Sequence, residues 1–491
     1  MIPIRFDNSF ARLPAGFHRS VAPSAAVAPS LIRLNRPLAA DLGLDADWLA
    51  GPEGIDMLSG RGIAEGSEPI ATAYAGHQFG SFVPQLGDGR AILLGEVIDP
   101  DGGRHDIQLK GAGRTPFSRG GDGRAAFGPV LREYVVSEAM AALGIPTTRA
   151  LAAVATGDTV ARETMLPGAI LVRVAASHIR VGTFQFHAYN GDDDAVRLLA
   201  DHVIARHYPD AAEAARPYRA LLDAVIAAQA DLVARWLLVG FVHGVMNTDN
   251  MSVAGETIDY GPCAFLDAYD PATVFSSIDR GGRYAYGNQP QIALWNLTRL
   301  AGTLVPLLAD DRDAGIADAQ DALAAFPPAF QGAYSAGLAR KFGLGGPGEV
   351  NLELAHDMLA LMTANQADFT LFFRRLADAQ DADGDAEPLR SLFVDPTACD
   401  AWLLRWRERI AQEGGSYEDR RRSMNAVNPA YIPRNHRIEA MIAAAVERGD
   451  FAPFDRLLAV LARPYDERPE NRWAAEPPLA GERVTATFCG T

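Results

Sequence analysis

The run "ALLDAVIAAQADLVARWLLVGFVHG" (220–244) constrains the fold more than any other stretch of the chain. It is apolar for most of its length, and Asp223, Gln229, Asp231 and Arg235 interrupt it. That pattern predicts a buried amphipathic helix and excludes a membrane span. The helix runs straight into "VMNTDN" (245–250), and "DYGP" (259–262) follows a short hairpin pattern. A core helix that delivers Asn and Asp side chains at its end has to be packed against a second layer.

That layer is legible upstream. β-like runs at 91–98 and 105–110 flank the turn "DPDGG", and glycine-rich loops lie before and after them. A helix is expected at about 128–142, ended by Gly144 and Pro146 in "ALGIP". Two more strands, about 149–155 and 159–163, are expected to meet at a turn "TGDT", with another at 169–175. Beyond residue 190 the pattern is mainly helical. The expected class is α+β and two-lobed. Residues 1–70 form an N-terminal wrap with short helices, and 71–185 a sheet-rich nucleotide-binding lobe. Residues 186–300 form a helical lobe with the catalytic and metal loop, and 301–491 a C-terminal helical extension packed on the core. "NPAYIPRNHRIEA" in that extension is polar and punctuated by proline, and no chemistry attaches to it from sequence.

Net charge is −16 and no compensating basic run is present, which argues against a nucleic-acid partner. The N-terminus lacks the apolar core of a signal peptide. Cys263, Cys399 and Cys489 are scattered and make neither a disulfide framework nor a zinc motif. A reducing cytoplasm, with no membrane association, is the expectation.

Of 45 basic residues only Lys110 and Lys341 are lysines. Lys341, in "GLARKFG", reads as a solvated helix end. Lys110 closes a strand pattern before a glycine loop, where a compact ammonium fits and a broad guanidinium does not. Glu133 shares an inward helix face with Val130, Val136, Ser137 and Met140, so it needs a cation, and Lys110 is suitably placed. A strand lysine held by a helix glutamate is how kinases set an ammonium on nucleotide phosphates. Asn250 and Asp259 offer hard oxygens suited to Mg²⁺ or Mn²⁺. Arg173 and Arg180 are further phosphate ligands if they share that pocket. The loops "GDGR" (Gly87, Gly89, Arg90) and "GGDGR" (Asp122, Gly123) can approach phosphates with backbone N–H groups. Neither is a Walker sequence or the kinase glycine loop. His77 and His243 read as structural, and Cys263 as a small buried hydrophobe.

"HGVMNTDN" (243–250) nearly matches the kinase pattern H-G-D-x-x-x-x-N, but Val245 stands where the catalytic Asp belongs. Together with "FDNSFARLP", "YAGHQFGSFVPQLGDGRAILLGE", "IQLKGAGRTPFSRGGDGRAAF", "LREYVVSEAMAALGIPTTRAL" and "NPAYIPRNHRIEA", it marks the chain as resembling the selenoprotein O family of kinase-like protein adenylyltransferases. The matching stretches run from residue 6 to 440. The resemblance implies a protein-kinase-like fold that binds ATP in a flipped orientation and transfers AMP to Ser, Thr or Tyr hydroxyls of protein substrates. It implies that Asp249 accepts the proton and that Asn250 and Asp259 hold Mg²⁺ or Mn²⁺. Lys110, paired with Glu133, would contact phosphate, as would Arg173 and Arg180. Gly87, Gly89, Arg90, Asp122 and Gly123 would complete the ATP pocket. Eukaryotic members carry selenocysteine near the C-terminus; here "TATFCGT" has Cys489 with no adjacent thiol. Two other readings stand beside this one: a nucleotide-binding pseudokinase scaffold, motivated by Val245, and a kinase with Asp249 as a displaced base.

Overall fold

Leucine, isoleucine and valine in "AILLGEVI" and "RHDIQLK" build an antiparallel pair, Ala91–Ile98 and Arg104–Lys110. The turn between them closes on Asp99, whose Oδ1 accepts from the Gly103 amide at 2.7 Å. In the computed structural model, which describes residues 4–381 and 386–488, this pair is the middle of a larger sheet. The strands run His18–Ser20, Ile70–Thr72, Ala91–Ile98, Arg104–Lys110, Met165–Ala175, Arg149–Ala161 and Ser30–Leu34, each antiparallel to its neighbours. A two-residue strand, Ala125–Ala126, adds to Met165–Ala175.

Both end strands come from the N-terminal segment, which therefore closes the sheet at two edges that would otherwise present unpaired backbone groups. "FDNSF" fastens the segment to fully buried Glu96. The Ser9 hydroxyl and the Phe10 amide each donate to that carboxylate at 2.6 Å, and Arg104 and Arg206 neutralise it at 3.0 and 3.1 Å. Asn8 approaches so closely that a Cβ on Gly95 would stand 2.3 Å from its Oδ1.

The expected hairpin at "TGDT" is not a hairpin. Arg149–Ala161 is one strand, and the chain reverses at Arg162–Thr164. The pairing slips across Thr156–Asp158, since Ala155 faces Ala169 and Thr159 faces Pro167. Gly157 is left-handed, with a φ of 75°, and a Cβ there would stand 2.7 Å from the Ala28 side chain of the N-terminal segment. Turn residues here make a bulge, which bends the strand without ending it.

The helix Phe127–Ala142 lies across the sheet and buries Val130, Val136, Met140 and Glu133. Beyond it the chain is helical. Pro217–Val239 ends at Gly240 in a left-handed cap (φ 76°), and Phe241–Val242 then pairs with Ala264–Phe265. "HGVMNTDN" and "DYG" lie between those two short strands. Among the described residues no helix is long and apolar enough to cross a membrane. "NPAYIPRNHRIEA" has a packing role: buried Arg434 pairs with Asp267 at 2.6 Å and Asp368 at 2.7 Å. Asn435 donates to the Phe265 carbonyl at 3.2 Å.

Lys341 is not solvated. It is buried, donates to Asn428 Oδ1 at 2.8 Å and lies 4.0 Å from the centre of the Phe373 ring. The helix Phe326–Lys341 is covered there by the C-terminal helices, which a local pattern does not report. Cys263 and Cys399 are buried thiols, and Cys489 lies outside the described residues.

Candidate active site

Lys110 is the last residue of its strand, in register with Ala91 on one side and Leu171 on the other. Arg173 sits opposite Gln108 on the adjacent strand, so both cations leave the same end of the sheet. Arg180 follows as the N-cap residue of the helix Val181–Tyr189. From the helical half, the loop Thr248–Asn250 and Asp259 face them. These residues line a cavity of about 730 Å³, a size suited to a small-molecule ligand.

Lys110 donates to Glu133 Oε2 at 2.6 Å and to Asp259 Oδ1 at 3.2 Å. Arg173 Nη2 reaches Asp259 Oδ1 at 2.5 Å and Glu133 Oε1 at 2.8 Å. Arg180 Nη1 reaches Asp259 Oδ2 and the Asp249 carbonyl, both at 2.5 Å, and its guanidinium lies over the Tyr74 ring. Lys110, Arg173 and Arg180 are 9, 1 and 2 % exposed, so this is a buried cationic cluster gathered on one carboxylate. Burial works to raise Asp259, but Arg173, Arg180 and Lys110 outweigh it and hold the carboxyl well below its usual range. Burial lowers the Lys110 ammonium, with Arg173 adding to that and Glu133 and Asp259 opposing it.

Asp249 is set differently. It is 7 % exposed, its Oδ2 receives only a long contact from Gln78 at 3.5 Å, and its Oδ1 has no hydrogen-bond partner. Burial pushes its carboxyl up to about 6, against the pull of Arg180. Asn250 donates from Nδ2 to the Val245 carbonyl at 3.0 Å, which fixes its amide orientation. His243 donates from Nε2 to the Ile258 carbonyl at 2.9 Å and is a structural residue of the loop. Val245 lines the cavity without a polar atom to offer.

The glycine loops form the wall. Gly87 has φ 74°, and a Cβ there would meet the Phe117 ring at 2.3 Å. Gly89 and Arg90 continue along it. Gly123 backs onto the Gly113 carbonyl, where a Cβ would be 2.0 Å away. Asp122 lines the cavity but stands apart from the cluster. Its carboxylate is taken by Arg162 at 2.8 Å and the Arg124 amide at 2.9 Å. Phe79, Arg119 and Asp259 all line the cavity at positive φ, a backbone cost concentrated at this site.

Three contributors escaped the reading from sequence. Gln78 touches Asp249, and Asn247 accepts from the Phe79 amide at 3.0 Å and the Tyr284 hydroxyl at 2.7 Å. Asp88 accepts from Thr72 Oγ1 at 2.6 Å and sits 3.9 Å from Arg180. Each lies inside a stretch already singled out, beside a residue that drew the attention.

Residues 1–462 match the family model described as protein adenylyltransferase SelO. The chain belongs to the SelO family. It is 66% identical over 492 residues to a protein nucleotidyltransferase YdiU of Methylorubrum populi, with 99% of each chain covered. A protein of the same description from Rhodopseudomonas palustris is 65% identical over 486 residues, again with 99% of each chain covered. Membership of the SelO family makes the chain an enzyme, a protein nucleotidyltransferase.

Proposed function

We propose that this SelO-family enzyme transfers AMP from ATP to Ser, Thr or Tyr hydroxyls of proteins, on a protein-kinase-like two-lobed fold. The observation that carries the reading is the presence of two differently set carboxylates in one cavity. Asp259 gathers three buried cations, while Asp249, whose backbone carbonyl touches Arg180, is buried with an unpartnered side-chain oxygen. The three cations suit the β and γ phosphates of a flipped ATP, which leaves the α-phosphorus towards Asp249.

The donor set suits a divalent ion. Asn250, Asp249 and Asp259 supply hard oxygens, and Asn250 has its amide nitrogen committed elsewhere. Asn250 and Asp259 would hold Mg²⁺ or Mn²⁺, which when bound neutralises phosphate charge. Everything else falls to the chain. The substrate hydroxyl oxygen forms a bond to the α-phosphorus, and its proton passes to the Asp249 carboxylate. The bond to the bridging oxygen of pyrophosphate breaks, and pyrophosphate leaves with that electron pair among Lys110, Arg173 and Arg180. Glu133 holds Lys110 in place.

Transfer to protein from ATP labelled at the α or the γ phosphate tests this. Label from the α position only, dependent on metal and lost in Asp259→Ala, is expected. Asp249→Asn should keep ATP binding and lose transfer by on the order of 10²-fold or more. Label from the γ position would replace this reading with a kinase using a displaced base.

A further inference from the structure

The stretch "SIDRGGRYAYGN" (277–288) and the helix Gln289–Leu308 carry three arginines, Arg280, Arg283 and Arg299, against one acid, Asp279. The guanidinium carbons of Arg283 and Arg299 lie 4.7 and 4.9 Å from the centre of the Trp295 ring. The Nε of each is buried without a hydrogen-bond partner, and among the described residues neither reaches a carboxylate. Asp279 is the nearest acid in sequence, but it accepts from the amides of Arg283 and Tyr284 at 3.0 and 2.8 Å. The ring face offsets part of the repulsion between two cations sharing one indole. In a chain of net charge −16, whose buried Arg434 and Arg206 are each held by carboxylates, this pair is held by an indole face instead.

Its position ties it to the chemistry. The Tyr284 hydroxyl bonds Asn247 at 2.7 Å, two residues before Asp249. The His77 ring lies 5.1 Å from Trp295, and the His77 amide donates to Thr248 Oγ1 at 2.7 Å. Arg283 and Arg299 do not line the nucleotide cavity, which has its own three cations. Ile278, 59 % exposed, stands at the mouth of that cavity.

We propose that Arg283, Arg299 and Trp295 dock an acidic segment of the protein substrate beside the hydroxyl that receives the nucleotide. This rests on the transferase reading above. A local pair of cations on an otherwise acidic molecule fits a short run of Asp or Glu, and a long polyanion would meet repulsion around it. Ile278 offers the same segment an apolar contact.

Binding of two fluorescent peptides to the full chain tests the proposal. They share one Ser, one Thr and one Tyr, and are otherwise rich in Glu or in Lys. A saturating ATP analogue that resists cleavage between the α and β phosphates occupies the nucleotide cavity throughout. The Glu peptide should bind saturably and weaken with salt, and the Lys peptide should not bind. Arg283→Gln/Arg299→Gln should weaken binding by at least about tenfold while still binding the ATP analogue. Arg283→Glu/Arg299→Glu should turn the preference towards the Lys peptide, which a merely structural role does not predict. If the double variants lose the ATP analogue, the single Arg→Gln variants carry the test. No binding by the wild type, equal binding of both peptides, or undiminished binding by the variants overturns the proposal. Nothing turns over in this assay, so its failure is separate from failure of label transfer.

Discussion

A Cβ on residue 76 would stand 2.4 Å from Oδ1 of Asp249, so a glycine at 76 is a condition of having a carboxylate at 249. Gly76→Ala is therefore expected to displace the Asp249 carboxylate and, on the proposed mechanism, to lower the rate of transfer by on the order of 10²-fold, with ATP affinity little changed. Steady-state kinetics beside ATP titration checks this, and an unimpaired rate would mean that Asp249 tolerates displacement. Lys110 and Glu133 were legible because each sits in a local periodic element. Gln78 was not, because its contact with Asp249 spans 171 residues. Lys341 was misread for the same reason. Burial pushes its ammonium down to about 7 from 10.5, while the faces of Phe373 and Phe369 oppose that by favouring the charged form. With the folded value below the unfolded one, folding expels a proton between those two values. The charged side chain costs stability below about 7, and that cost fades as pH rises through the window. Relative to Lys341→Met, the wild type should gain about 4 kcal/mol between neutral and strongly alkaline pH. Urea unfolding across that range is the measurement, and a flat difference would show that Lys341 stays charged.

Among the elements, the segment that follows Asp259 is tied from far along the chain. Arg434 is wholly buried and joins Asp267, just past Ala264–Phe265, to Asp368 at the start of the helix Phe369–Leu376. Arg434→Met would leave two carboxylates facing each other without their cation, at a cost of about 3–5 kcal/mol. Arg434→Lys should recover little of it, because one ammonium cannot reproduce the forked contact with both oxygens of Asp368. Denaturant midpoints decide this, and a loss below about 1 kcal/mol would remove Arg434 as the tie. Strand and helix periodicities placed most elements near the site from sequence. They failed at "TGDT", where Gly, Asp and Thr satisfy a turn and a bulge equally well. What separates the two is Ala28, a residue of the N-terminal segment that supports the bulge from outside the hairpin.

For the whole molecule, the sequence order of a sheet-rich half and a helical half was legible, and the cavity that holds the candidate site is lined from both. That the N-terminal segment supplies both end strands of the sheet was not, since those pairings join residues far apart in the chain. The two halves meet electrostatically as well. Lys110 and Arg173 come from the sheet, and the carboxylate that gathers them with Arg180 comes from Asp259. That carboxylate holds the cluster together, and under the proposed function the phosphates of ATP compete with it for the same cations. Asp259→Asn keeps the shape and removes the charge, so the unliganded protein should lose about 3 kcal/mol. In a metal-free buffer ATP should then raise the melting temperature more in Asp259→Asn than in the wild type, because phosphate replaces a missing anion instead of displacing one. A smaller rise in the variant would mean that the triphosphate does not engage Lys110, Arg173 and Arg180.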